Sequence, residues 1–87
     1  MMGVRIIYGD FGPAQVQHEA LERFWPLIFG LCDYIEEVKI ESMDEIYLKF
    51  RDGNYGKEDL KEIAFAMAHM CPDEVDEEGD YIRLWWD

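Results

Sequence analysis

YIEEVKIESMDEIYLKFRD, residues 34–52, reads as two strands folded back on each other. Val38 and Ile40 alternate with Glu37, Lys39 and Glu41. Beyond Ser42, Met43 and Asp44, the residues Ile46, Leu48 and Phe50 alternate with Glu45, Tyr47, Lys49 and Arg51. Successive side chains of a strand point to opposite sides, so apolar residues at every second position give a hairpin with one dry face and one wet face. The rest of the chain must cover the dry side.

Towards the N-terminus, Val4 to Tyr8 (VRIIY) reads as a first strand with Val4, Ile6 and Tyr8 on one face and Arg5 and Ile7 on the other. Gly9 to Pro13 stops it. Gly12 is placed to cap a helix and Pro13 to open one, because the first turn has no use for the N–H that proline lacks. From Ala14 the apolar period becomes helical: Val16, Ala20, Phe24, Leu27 and Leu31, with Leu21, Trp25 and Ile28 beside them, form the stripe expected to face the sheet. Pro26 removes a helical hydrogen bond and crowds the preceding turn, which predicts a kink there, or a break into 13–24 and 26–31.

Towards the C-terminus, Asp52 to Gly56 (DGNYG) is a turn cluster that ends the second arm of the hairpin. Lys57 to Met70 reads as a second helix, with Glu58 and Asp59 in the first turn, where they complement the helix dipole. Pro72 ends it. Asp73 to Asp80 (DEVDEEGD) places six acids in eight residues and reads as a loop or strand lead-in. Tyr81 to Asp87 (YIRLWWD) is the last strand, with Ile82, Leu84 and Trp86 inward and Tyr81, Arg83 and Trp85 outward. The order strand, helix, strand, strand, helix, strand predicts an α+β fold of ferredoxin-like βαββαβ type, one domain over residues 1–87. Its sheet would be four-stranded and antiparallel, in the order 4-1-3-2, with both helices on one face.

Composition limits the function. An apolar fraction of 49% over 87 residues marks a folded chain, and 20 acidic against 8 basic residues give it a formal charge of -12. Such a charge opposes sequence-independent binding to nucleic acid or to an anionic membrane, both of which need a basic footprint. Its natural electrostatic partner is a basic protein surface. The longest apolar run, Phe24 to Cys32, falls well short of the ~20 residues of a membrane helix, and no signal-peptide pattern opens the chain. These features predict a soluble cytoplasmic protein. Cys32 and Cys71 read as buried thiols near helix ends.

Two surfaces are candidate sites. The open face of the sheet is expected to show Arg5, Ile7, Glu37, Lys39, Glu41, Glu45, Tyr47, Lys49, Arg51, Tyr81, Arg83 and Trp85. Cross-strand ion pairs and aromatic pairs that only stabilise the sheet account for this set. So does a protein-binding or homodimer patch centred on Ile7, Tyr47, Tyr81, Arg83 and Trp85, since aromatics and arginine are the usual interface anchors. Stacking of single-stranded RNA is a third reading, and the acids on the same face weigh against it. The second surface is the acidic set Asp73, Glu74, Asp76, Glu77, Glu78 and Asp80, reinforced by Glu58, Asp59 and Glu62 on the second helix. It is either a solvated charge run or a row of carboxylates that imitates nucleic-acid phosphates.

Catalysis has little to stand on. His18, His69, Cys32 and Cys71 lack the spacing of a zinc site or an oriented Cys–His pair, the acids lack the ligand spacing of a calcium loop, and no glycine-rich phosphate loop is present. No enzyme, metal or cofactor is expected. In size and acidity the chain resembles small anti-CRISPR and DNA-mimic proteins, inhibitors of the kind a phage or mobile element encodes; the resemblance is one of type and rests on no shared motif. The reading it supports is a non-enzymatic protein whose acidic surface occupies the basic nucleic-acid-binding surface of a partner. The alternative is an assembly or dimerisation module that docks through the aromatic open face of its sheet.

Overall fold

The expected hairpin lies at the middle of a larger sheet than the periodicity suggests. The computed structural model describes residues 3–51, 62–65 and 69–87. Its strands are β1 (Arg5–Tyr8), β2 (Ile35–Ser42), β3 (Glu45–Phe50), β4 (Glu74–Glu78) and β5 (Tyr81–Trp85), with helix α1 (Ala14–Leu31) between β1 and β2. A short helical piece at 62–65 lies where the second helix is expected. The turn at Asp52 to Gly56 and the start of that helix, including Glu58 and Asp59, fall outside the described residues.

Five strands pair in the order β1-β2-β3-β5-β4. β1 runs parallel to β2, and every other neighbouring pair is antiparallel, so the sheet is mixed. The α+β class stands, while the four-stranded antiparallel sheet in the order 4-1-3-2 does not. Two local causes account for the difference. β1 is only four residues long and half-buried rather than enclosed, which suits an edge better than the centre. The acidic run is not a loop: Glu74 to Glu78 form β4, and β5 rather than β1 takes the free side of β3. Gly79 and Asp80 make the two-residue turn between β4 and β5. Gly79 has φ +62°, a conformation glycine adopts without the Cβ penalty.

Registers assign the two faces. Ile6 lies opposite Val38, Tyr8 opposite Ile40, Val38 opposite Leu48, Ile40 opposite Ile46, Ile46 opposite Leu84 and Leu48 opposite Ile82. This is the dry face. A register shift between Ile35 and Glu37 lets Ile35 and Val38, three residues apart, both point into the core. α1 covers the face with Ala20, Phe24, Leu27, Ile28 and Leu31, and Ala64 of the helical piece joins the same cluster. Trp86 closes one end: its ring lies 5.1 Å from that of Phe24, and its indole N–H donates to the Met70 carbonyl at 2.7 Å.

α1 runs unbroken through Pro26. Proline at 26 leaves the Glu22 carbonyl without its helical donor. Both residues are on the exposed side of α1, where water can take the place of that donor, while Phe24, Leu27, Ile28 and Leu31 hold both halves of the helix to the sheet. The apolar stripe is narrower than the periodicity suggests. Trp25 and Phe29 are exposed, with rings 6.4 Å apart on the outer side of α1. Among the described residues no helix is long and apolar enough to cross a membrane.

Candidate functional site on the open sheet face

With the helices on one side, the other side of the sheet is left uncovered by any described element, and its side chains fall into cross-strand rows. One row is Arg5, Glu37, Lys49, Tyr81 and Glu78; the next is Ile7, Lys39, Tyr47, Arg83 and Asp76; the last joins Glu45, Trp85 and Glu74. The alternation of β1, β2, β3 and β5 predicted this face correctly. What it did not predict is the contribution of β4. As a strand beside β5, the acidic segment lays Glu74, Asp76 and Glu78 onto the same face as Tyr47, Tyr81, Arg83 and Trp85. The two candidate surfaces therefore largely coincide.

The remaining acids disperse. Glu77 lies opposite Ile82, on the helix side of the sheet at its exposed edge. Asp80 is in the turn, and Asp73 binds the chain end, its carboxylate accepting the Asp87 N–H at 2.6 Å. Glu62 is exposed on the helical piece. Glu58 and Asp59 lie outside the described residues.

Arg83 ties the face together. Its Nε donates to Glu45, and its Nη1 lies 2.9 Å from Asp76 and 3.3 Å from Glu74, so one guanidinium serves carboxylates of β3 and β4. Arg83 and Glu45 are mostly buried, whereas Glu74 and Asp76 keep about half of their side chains in water, at 54% and 48% exposure. The hydrogen bond from Arg83 to Glu45, with the charges around it, holds the guanidinium proton more tightly than in a free arginine. Arg83 is therefore a fixed cation already engaged by neighbours.

The other cations of the strands are engaged as well. Arg5 lies 3.8 Å from Glu37, Lys39 lies 3.3 Å from Glu41 and Lys49 lies 3.4 Å from Glu36. Within the strands the face has four cations, Arg5, Lys39, Lys49 and Arg83, against seven carboxylates, Glu36, Glu37, Glu41, Glu45, Glu74, Asp76 and Glu78. The excess is negative and gathers on the β4 side. Stacking of RNA on this face would set phosphates against that excess, and each of these cations would have to leave a carboxylate to meet them.

Tyr47 and Tyr81 stand edge to face, with rings 6.4 Å apart at 87°. Together with Lys39, Glu41 and Glu78 they line a depression of about 350 Å³. The Tyr81 hydroxyl donates to Glu37, a carboxylate left only 8% exposed. That hydrogen bond, followed by burial, raises the Tyr81 phenol above the ordinary tyrosine value; burial, followed by the nearby Glu45 charge, does the same to Tyr47. Both phenols therefore keep their protons to higher pH than a free tyrosine. Ile7, in the row of Tyr47, and Trp85, in the row beside it, are half-buried.

Alternation places Glu37, Lys39 and Glu41 on this face but does not single them out as site residues. The adjacent acids Glu36 and Glu37, which break the alternation at the register shift, are the available signal. Away from the face, the His69 ring lies edge-on to Phe65 at 5.8 Å, and Cys71 is exposed rather than buried. Among the described residues no group of three or more histidines, cysteines or acids is arranged to hold a metal ion. Compared with protein-family models, curated proteins and solved structures, the chain has no match.

Proposed function

We propose that this chain is a non-enzymatic binding protein that uses the open face of its sheet, weighted towards β4, to occupy the basic surface of a nucleic-acid-binding partner. The observation that carries this reading is the placement of Glu74, Asp76 and Glu78 beside Tyr47, Tyr81 and Trp85 on one face. Alternate residues of a strand are about 6.7 Å apart, so these three carboxylates form a regular row on a rigid support, as successive phosphates do along a nucleic-acid strand. The aromatic rings beside them supply contact area that charge alone lacks. Docking through the aromatics and docking through the acids then share a single footprint, and an inhibitor of nucleic-acid binding is the role that such a footprint suits.

The test is capture from a lysate of the source cells, with bound proteins identified by mass spectrometry and then challenged with DNA and RNA. Two variants with the same loss of charge are compared: Glu74→Gln with Asp76→Asn and Glu78→Gln on the face, and Glu19→Gln with Glu22→Gln and Asp33→Asn on exposed positions elsewhere. The proposal expects an identified nucleic-acid-binding protein that nucleic acid displaces, held by the wild type and the second variant and lost by the first. Equal behaviour of the two variants would reduce the interaction to net charge and overturn the face as the site.

A further inference from the structure

β4 is the last strand in the sheet order, hydrogen-bonded to β5 on one side and, among the described residues, to nothing on the other. Every second N–H and C=O of such a strand points out of the sheet, ready to pair with another chain. Proteins commonly blunt such edges with a proline, a lysine or a bulge. β4, EVDEE, has no proline and no lysine, and it pairs with β5 in unbroken register over all five residues. What guards it is charge, since Glu74, Asp76, Glu77 and Glu78 are four of its five side chains.

That guard is selective. A second copy of this chain pairing edge to edge would bring two such acidic strands into register, and like charges directly opposite destabilise a sheet. A basic strand would gain at the same positions. From the edge, Glu74, Asp76 and Glu78 point to the open face, Glu77 to the helix side, and Val75, 7% exposed, to the core.

We infer that β4 is the docking edge for an extended, lysine- or arginine-rich segment of the partner, which joins the sheet as a sixth strand. This rests on the proposed basic partner and adds how it is held. Main-chain hydrogen bonds supply the affinity, and the alternation of side chains supplies the choice of sequence. The pattern favoured opposite β4 has basic residues facing Glu74, Asp76 and Glu78, with an apolar residue beside Val75.

The test uses the full chain, labelled for observation of its amides, and two synthetic peptides. One alternates lysine and valine; the other has the same sequence with every backbone nitrogen methylated, which keeps charge and side chains but removes the donors. The expected result is that the first peptide binds at least about tenfold more tightly and slows hydrogen exchange at amides of β4. Equal binding of the two peptides, or protection confined to β1 or to the centre of the open face, overturns strand addition.

The Glu74→Gln, Asp76→Asn, Glu78→Gln variant separates this inference from the reading it rests on. If both peptides bind the wild type equally and the variant weakly, the acidic face survives and the strand edge does not. If the unmethylated peptide protects β4 equally in both proteins, the edge survives and the acidic face does not. If neither peptide binds, both fall.

Discussion

Arg83 is the residue on which the open face depends, because it is the common partner of Glu45, Glu74 and Asp76. Arg83→Met keeps the aliphatic stem and removes the charge. Glu45, the most enclosed of the three, then loses its counterion, while the exposed Glu74 and Asp76 contribute little. The expected loss is about 1–3 kcal/mol, measured as a lower urea midpoint at neutral pH. An unchanged midpoint would show that the cluster is only a solvated set of charges. Tyr47, Tyr81 and Lys49 make a second prediction. Burial raises the Tyr47 phenol, the bond to Glu37 raises Tyr81, and the bond to Glu36 raises Lys49. A folded group that keeps its proton longer than its unfolded counterpart stabilises the fold below the unfolded pKa, and that stability is lost as pH rises through the folded value. Stability should therefore fall from about pH 10 upward. Tyr81→Phe removes one phenol, so the decline of its urea midpoint with pH should be shallower than in the wild type; an identical slope would remove the bond to Glu37 as a cause. Which of these side chains share a face was legible in the alternation of the strands. That one arginine would bridge β3 and β4 was not, because nothing in the order of residues says which strand lies beside which.

At the scale of the element, α1 shows how burial overrides local preference. Pro26 argues for a break, yet the helix is continuous because Phe24, Leu27, Ile28 and Leu31 are buried on both sides of it. Replacing an exposed interior proline restores a backbone donor without disturbing the core. Pro26→Ala is expected to stabilise the protein by about 1–3 kcal/mol, each kcal/mol raising the thermal midpoint by roughly 4–8 °C. A lower midpoint would mean that the proline shapes the helix to fit the sheet. β4 is the opposite case. Glu74 to Glu78 contain one apolar residue, Val75, too few for alternation to reveal a strand. Its pairing with β5 and the Gly79-Asp80 turn make it one, so a segment that reads as a charged loop or strand lead-in becomes the edge of the sheet.

The whole molecule is small relative to the reach of its own charge. Its extents are 34 × 28 × 23 Å, and electrostatic screening acts over about 30 Å at 0.01 M salt but about 10 Å at 0.1 M. At low salt the charge of -12 therefore acts across the entire fold. The thermal midpoint is expected to rise between about 0.01 and 0.1 M sodium chloride as this repulsion is screened. A fall would mean that the local pairs around Arg83 and Lys49 outweigh the repulsion. The same screening should weaken capture of a basic partner, so stability and binding respond to salt in opposite directions. The fold divides in a corresponding way between what residue order specifies and what packing specifies. Alternation assigned Val38, Ile40, Ile46, Leu48, Leu84 and Trp86 to the core, and all six are buried there. Water forces that outcome locally, since each apolar side chain must leave it whichever strand lies beside it. Strand order is different, because the backbone ladder is the same for every sequence and only the packed core selects among neighbours. The placement of β1 at an edge, of β5 against β3 and of the acidic β4 on the open face followed from that selection.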